Sequence, residues 1–209
     1  MGSEMCIRDS IQTVAMVERA RPDLCTKDDT LLGLLPMFHI YGMVTILHYS
    51  MIHGSTLVTL PNFEPETFLK AIAQHRVNVA HLVPPLILFL AKHPAVKPEM
   101  ISSLECIMSG AAPLDAHTQQ EAATRIGCEV VQGYGMTEVC GISTYTTGDL
   151  FLARPQSCGP LVPTLEGKIV NDAGDRLPVG EAGELLVKGA PVIKGYLNRP
   201  EATAETIVD

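Results

Sequence analysis

One run of seven residues at 132–138 (Gln-Gly-Tyr-Gly-Met-Thr-Glu) brings together the side chains that an ATP site needs. Tyr134 offers a flat aromatic face on which a purine can stack, and the glycines on either side of it let a ligand approach the main chain closely. The Thr137 hydroxyl can donate a hydrogen bond to a phosphate oxygen, and Glu138 is an oxygen ligand of the kind that Mg²⁺ takes beside substrate phosphates. No Gly-x-x-x-x-Gly-Lys-Ser/Thr pattern occurs in the chain, so the run predicts an ATP-handling site built without a P-loop.

The same run resembles the signature of the adenylate-forming superfamily, which includes acyl-CoA synthetases, firefly luciferase and the adenylation domains of peptide synthetases. Further segments resemble this family in the same order along the chain, namely 35–42, 109–114, 183–189 and 195–203. The first of them, Leu-Pro-Met-Phe-His-Ile-Tyr-Gly, is most similar to the branch of the 4-coumarate–CoA ligases. The resemblance extends from about Ile11 to Asp209.

The resemblance implies which residues contact the nucleotide. The backbone at 110–113 would line the adenine, where only small side chains leave room for the base. The full implied set is Ser109, Gly110, Ala111, Ala112, Pro113, Gln132, Gly133, Tyr134, Gly135, Met136 and Thr137. The alternatives are purely structural: an ordinary strand-to-helix turn at 109–113, core packing for Tyr134, and helix capping for Thr137 and Glu138.

The resemblance also implies an acid pocket and a catalytic set. The acid would contact His39, Tyr41, Met108, Ala111 and Gly133, and the alternative for each of these residues is core packing. Catalytic roles are implied for His39, Thr137 and Glu138, with Glu138 as the Mg²⁺ ligand. The implied cofactors are ATP or AMP and Mg²⁺, with coenzyme A as a co-substrate. For Glu184 and the segment 195–203 we expect a structural role.

The implied reaction joins a small carboxylic acid to coenzyme A in two steps. The carboxylate attacks the α-phosphorus of ATP to give an acyl-adenylate and pyrophosphate, and the thiolate of coenzyme A then displaces AMP. The run 139–142 departs from the small-and-proline pattern of plant coumarate ligases, so a medium-chain fatty acid stays open beside 4-coumarate. The alternatives are a luciferase-like enzyme, a peptide-synthetase adenylation enzyme, and a non-catalytic nucleotide-binding protein on the same fold.

Two segments of the family pattern are not found in this sequence. No Ser/Thr/Gly-rich loop with a lysine precedes His39, and Asp209 comes before the expected Gly-Trp-x-x-Thr-Gly-Asp segment. We therefore expect an internal fragment of a larger enzyme, inactive as a ligase on its own. Residues 1–10 match no family segment, and we expect them to be an added leader or an artefact of sequence assembly.

Composition limits the class of protein and its partners. The 209 residues are 46% hydrophobic and 18% charged, which is typical of a globular chain. A net charge of −8 without a Lys/Arg run makes nucleic acid and anionic membranes poor partners. The scattered cysteines predict reduced thiols and a cytoplasmic location, and a peroxisomal location of a longer parent protein stays open. The uncharged stretch 31–63 is long enough to span a bilayer, but its proline and glycines favour buried strands and a helix.

The order of short strands and helices predicts an α/β fold with a largely parallel sheet and crossover helices. We predict strands at 30–35, 55–60, 77–82, 104–109 and 129–133, and helices at 12–20, 41–53, 65–75, 84–92 and 115–126. Beyond 148 the pattern predicts antiparallel strands at 164–170 and 183–188 with a turn at 171–174, and the resemblance implies part of a small β-barrel subdomain. The predicted division is 11–154 and 155–209.

Two of the motifs follow neighbouring strands of the predicted sheet. The first begins at the end of the strand at 104–109, and the second begins at the end of the strand at 129–133. Ligands of open parallel sheets gather at the carboxyl ends of the strands. The sequence therefore predicts one nucleotide site shared by both motifs.

Overall fold

The computed structural model describes residue 13, residues 25–146 and residues 154–208. Six strands form one sheet in the order β2-β1-β3-β4-β5-β6. These strands are β1 (Thr30–Gly33), β2 (Thr56–Thr59), β3 (Val79–Leu82), β4 (Cys106–Ser109), β5 (Glu129–Tyr134) and β6 (Thr144–Tyr145). The first five pair in parallel, and only β6 runs antiparallel, to β5. The predicted α/β class with a largely parallel sheet is confirmed.

Helices connect the parallel strands as predicted. They are α1 (Tyr49–His53), α2 (Pro65–His75), α3 (Pro84–Lys92), α4 (Pro98–Ile101) and α5 (Ala116–Ile126). A further helix, α6 (Pro200–Thr206), comes near the end of the described residues. The predicted helix at 41–53 is a π-helix over Tyr41–His48 that continues into α1. The short α4 was not predicted. The helix predicted at 12–20 lies outside the described residues except for residue 13, and residues 1–10 lie outside them entirely.

Capping residues fix the ends of the two longest helices. The Glu64 carboxylate accepts from the main-chain nitrogen of Thr67 at 2.7 Å at the start of α2. The Asp115 carboxylate accepts in the same way from Thr118 at 2.9 Å at the start of α5. Such caps satisfy main-chain N–H groups that have no partner within the helix. α5 then ends at Gly127 in the left-handed region, with φ +78°.

Alternate strand residues face opposite sides of the sheet and pack into two cores. Leu32, Leu82 and Ile107 pack with α2, α3 and α5 on one side. Val79 and Met108 pack with the π-helix on the other side. The second core also contains the segment after β5, so the π-helix and the glycine-tyrosine run meet on the same face of the sheet.

A second, two-stranded antiparallel sheet follows the first. β7 (Leu165–Val170) pairs with β8 (Glu184–Gly189), from Leu165 opposite Gly189 to Val170 opposite Glu184. The predicted turn begins at Asn171, whose side-chain oxygen accepts from the main-chain nitrogens of Ala173 and Asp175. Among the helices of the described residues, none has the length and apolar character that crossing a membrane requires.

Candidate functional site

A pocket of about 330 Å³ lies at the carboxyl ends of β4 and β5. It brings together His39, Tyr41, Met108, Ser109, Gly110, Ala111, Gly133, Tyr134, Gly135, Met136, Thr137 and Glu138, all of which the sequence singled out. Ile40, Thr45, Gly141 and Ile142 complete the lining. The two motifs meet because β4 and β5 are adjacent and parallel, with Ser109 opposite Gln132 in the register.

The loop after β4 passes close to the ring of Tyr41. A Cβ on Gly110 would lie 2.8 Å from Cε1 of Tyr41, so no larger residue fits there. Ala111 adopts φ +69°, a left-handed conformation that costs a residue with a Cβ about 1–2 kcal/mol. Strained backbone of this kind concentrates at functional sites. Ala112 and Pro113 follow at the surface and are not among the residues that line the pocket.

Gln132, which lies on β5, holds the loop after β4 against that strand. Its side-chain oxygen accepts from the main-chain nitrogen of Leu114 at 3.1 Å, and its side-chain nitrogen donates to the main-chain oxygen of Leu114 at 3.1 Å. The same nitrogen donates to Oε1 of Gln119 at 3.0 Å. Gln132 is buried and does not line the pocket. The side chain of Gln132 therefore braces the loop after β4.

The run after β5 folds back sharply and presents its polar side chains to the pocket. A Cβ on Gly135 would lie 1.6 Å from the main-chain oxygen of Gly141, so this turn excludes every other residue. A single 3₁₀ turn over Thr137–Val139 follows. Its end is closed by Cys140, whose main-chain nitrogen donates to the oxygen of Thr137 at 3.0 Å. Thr137 and Glu138 are half-buried in this turn and line the pocket.

Tyr134 and His39 are not core residues. The side chain of Tyr134 is 44% exposed, so its ring is available to a ligand. His39 is exposed, and its Nδ1 accepts from the main-chain nitrogen of Tyr41 at 3.1 Å. Because Nδ1 accepts, a neutral imidazole carries its proton on Nε2. The Nε2–H group of His39 can therefore donate a hydrogen bond to the carboxylate of a ligand.

Tyr41 forms part of the apolar wall of the pocket. Its hydroxyl donates to the main-chain oxygen of Met108 at 3.1 Å, which links the π-helix to β4. Burial raises the pKa of the Tyr41 phenol well above its usual range, so the group stays a neutral donor. Its ring meets the ring of His81 edge to face, with centroids 5.7 Å apart. Thr45, which the sequence analysis did not select, lies on the same wall; its one signal was a polar residue within a mostly apolar helix.

Glu138 contacts the segment that leads from β8 to α6. The hydroxyl of Tyr196 donates to Oε1 of Glu138. The main-chain nitrogen of Ile193 donates to the main-chain oxygen of Glu138 at 2.9 Å. Within the part of the chain that the structure describes, no cluster of three or more His, Cys, Asp or Glu side chains could hold a metal ion. One carboxylate beside a nucleotide fits Mg²⁺, which takes one or two carboxylates and completes its shell with phosphates and water.

Comparison with known proteins identifies the family of the chain. Residues 7–197 match the family model described as AMP-binding enzyme. The chain belongs to the AMP-binding enzyme family. The match covers both motifs of the pocket and the whole six-stranded sheet.

Several relatives of the chain are 4-coumarate–CoA ligases. The chain is 38% identical over 213 residues to 4-coumarate–CoA ligase 3 of Oryza sativa subsp. japonica, covering 99% of this chain and 38% of the relative. It is 38% identical over 184 residues to the probable 4-coumarate–CoA ligase 1 of Dictyostelium discoideum, covering 87% of this chain and 33% of the relative. The chain thus spans between one third and two fifths of the length of these relatives.

Solved structures of acyl-CoA synthetases share the fold. ATP-bound MatB of Rhodopseudomonas palustris superimposes with a TM-score of 0.87 at 26% identity, covering 99% of this chain and 40% of that one. The O-succinylbenzoate coenzyme A synthetase MenE of Bacillus subtilis, in complex with ATP and magnesium ion, gives 0.86 at 28% identity, covering 99% and 42%. These similarities agree with the resemblance on which the predicted family rests.

Proposed function

We propose that the chain is the nucleotide- and acid-binding part of an ATP-dependent acid–CoA ligase. The observation that carries the proposal is the single pocket shared by the loop after β4, the run after β5 and the start of the π-helix. A reaction between ATP and a carboxylate needs both reactants in one site. The names of the relatives and the ATP complexes of MatB and MenE support this function.

In this proposal the nucleotide lies between the two strand-end loops. Tyr134 stacks on the adenine, and the main chain from Ser109 to Ala111 lines the base. The Thr137 hydroxyl donates to a phosphate oxygen, and Glu138 holds Mg²⁺, which neutralises charge on the phosphates. Among the described residues that line the pocket there is no Lys or Arg, so in this proposal the positive charge beside the phosphates would come from Mg²⁺.

The acid is proposed to lie against the π-helix. The Nε2–H of His39 donates to the acid carboxylate and orients one of its oxygens toward the α-phosphorus. The remainder of the acid lies along Tyr41, Met108 and Ile142, an apolar wall with the Thr45 hydroxyl on it. Such a wall suits 4-coumarate, whose ring is flat and whose phenol needs a polar partner, and it also accommodates a medium-chain fatty acid.

We further propose that the complete ligation needs groups beyond those that line this pocket, because none of the described lining residues is a Lys or Arg. The proposal therefore assigns to the 209-residue chain the binding of nucleotide and acid, and no turnover of its own to an acyl-CoA. Thioester formation by the purified chain, given ATP, Mg²⁺, coenzyme A and either acid, would contradict this part of the proposal.

Titration calorimetry of the purified chain with ATP and Mg²⁺ tests the nucleotide site. We expect measurable binding that weakens roughly 5- to 150-fold in Tyr134→Ala, the range expected for one lost stacking contact. Glu138→Ala should weaken binding in Mg²⁺ and not in EDTA. Phe63→Ala provides the control for a lost aromatic ring, because Phe63 is 38% exposed and does not line the pocket. Wild-type affinity retained in Tyr134→Ala would overturn the nucleotide assignment.

Non-hydrolysable acyl-adenylate analogues test the acid. The 4-coumaroyl and octanoyl sulfamoyl adenosines share the same adenosine and sulfamoyl group and differ only in the acyl group. We expect the analogue whose acyl group fits the pocket to bind more tightly than AMP. Thr45→Val should weaken binding of the 4-coumaroyl analogue and not of the octanoyl analogue. If neither binds better than AMP, the pocket beside the π-helix does not hold the acid.

A further inference from the structure

The segment 195–203 touches the proposed metal site, although the sequence analysis gave it only a structural role. Tyr196 lies 58 positions after Glu138 in the chain, and its phenol donates a hydrogen bond to Oε1 of that carboxylate. Three residues before Tyr196, the main-chain nitrogen of Ile193 donates to the main-chain oxygen of Glu138 at 2.9 Å. Residues 193–196 thus hold Glu138 at both its main chain and its side chain.

Glu138 needs such support because its own element is weak. It lies in a single 3₁₀ turn of three residues, Thr137–Val139, and this type of helix has poor hydrogen-bond geometry. A carboxylate in a short turn can rotate about its side-chain torsions at little cost. A phenol bonded to one carboxylate oxygen restricts that rotation and leaves the second oxygen as the acceptor for a cation.

The phenol is itself held firmly. The main-chain nitrogen of Tyr196 donates to the Thr203 hydroxyl at 2.9 Å, and that hydroxyl donates to the main-chain oxygen of Arg199 at 2.8 Å. Gly195 packs so closely on Thr203 that a Cβ would lie 2.7 Å from its methyl group. Thr203 belongs to α6, which begins at Pro200. The tyrosine therefore reaches Glu138 from a braced turn.

We propose that Tyr196 is a positioning residue that orients the Glu138 carboxylate for Mg²⁺ bound to the nucleotide. This inference rests on the proposed function, because it assumes a metal–nucleotide complex in the pocket. The segment between β8 and α6 thereby contributes to a site built otherwise from the parallel sheet.

The test compares nucleotide affinity with and without metal in Tyr196→Phe, which removes one hydroxyl and keeps the ring. Titration calorimetry measures the dissociation constant of ATP in Mg²⁺ and in EDTA. The constant in EDTA divided by the constant in Mg²⁺ reports how strongly the metal favours binding. We expect the ratio to fall roughly tenfold in Tyr196→Phe, the effect of one lost hydrogen bond to a charged group, with the constant in EDTA unchanged. Thr203→Val, which loosens the turn but keeps the phenol, should lower the ratio as well.

Tyr49→Phe is the matched control, since it removes a phenol hydroxyl outside the pocket, and its ratio should equal that of the wild type. An unchanged ratio in Tyr196→Phe overturns the proposal. Equal weakening in Mg²⁺ and in EDTA overturns it too, because that result indicates a general structural role.

Hydrogen exchange separates this inference from the proposed function. If the wild-type chain binds no nucleotide, the proposed function fails. The exchange rate of the Cys140 amide then still tests whether the tether, the hydrogen bond from Tyr196 to Glu138, stabilises the turn of Glu138. That amide closes the turn of Glu138 by donating to Thr137. Faster exchange in Tyr196→Phe than in Tyr49→Phe supports the tether, and equal exchange contradicts it.

Discussion

The side-chain amide of Gln132 makes two hydrogen bonds, each of 3.1 Å, to the main chain of Leu114. The side-chain amide thus pairs with both main-chain groups of Leu114, as the main chain of a neighbouring strand would. It fixes the loop after β4 to β5 at the level where the pocket begins. The geometry of the proposed adenine site therefore depends on a residue that does not line it.

Replacing Gln132 by Ala should loosen that loop. Two main-chain groups of Leu114 and Oε1 of Gln119 would lose a buried partner, and we expect a loss of about 1–3 kcal/mol in the free energy of unfolding. AMP affinity should fall as well, because the main chain from Gly110 to Ala111 loses its support. Urea unfolding and titration calorimetry measure the two effects. Gln120→Ala is the control, since Gln120 is exposed and its side chain donates to Thr124; a variant of Gln132 that matched this control would contradict the bracing role.

Replacing Gly135 by Ala should abolish nucleotide binding. The new Cβ would lie 1.6 Å from the main-chain oxygen of Gly141, so the turn that presents Thr137 and Glu138 must open. Overpacking of this kind costs on the order of 1–3 kcal/mol. Calorimetry with ATP and Mg²⁺ measures the loss of binding, and urea unfolding measures the loss of stability.

Gly54→Ala is the matched control for Gly135→Ala. Gly54 has φ +70° but open space around its Cβ position, so an alanine there costs about 1–2 kcal/mol of backbone strain and no clash. We expect it to lower stability and to leave ATP affinity unchanged. Retained ATP affinity in Gly135→Ala would show that the turn at 135–141 does not form the site.

The sheet and the meeting of the two motifs could be predicted from the sequence, because both follow from local patterns. Strand and helix alternation places 104–109 and 129–133 side by side, and the parallel register then brings Ser109 opposite Gln132. β6 has only two residues, too few for a periodic signal. The π-helical form of Tyr41–His48 is also absent from the pattern, because apolar residues at helical spacing do not specify the number of residues per turn.

The contacts that support the site could not be predicted. Tyr196 and Glu138 are 58 positions apart, and Gln132 and Leu114 are 18 apart. Each contact depends on how a loop returns to the sheet, which tertiary packing decides and local spacing does not encode. A segment such as 195–203, with one glycine and one proline, therefore resembles a simple turn until its partner is known.

His81 should make the stability of the chain depend on pH. It lies on β3 with 1% exposure, and neither ring nitrogen has a hydrogen-bond partner among residues 25–146 and 154–208. Burial lowers its pKa from 6.5 to about 4, so the folded chain keeps the ring neutral while the unfolded chain protonates it below pH 6.5. Between pH 6.5 and 4 the unfolded state binds more protons, and stability falls as pH falls, by at most about 3 kcal/mol. Above pH 6.5 this group adds no pH dependence.

Urea unfolding across this pH range measures the effect, with His81→Leu as the informative variant. Leucine fills the space with apolar atoms and cannot be protonated, so the fall in stability between pH 6.5 and 4 should become shallower. His75→Gln is the control, because His75 is exposed at the end of α2, and it should keep the slope of the wild type. The same slope in His81→Leu as in His75→Gln would mean that the ring of His81 is protonated in the folded chain, and the packing of β3 against Tyr41 would then have to admit a charge.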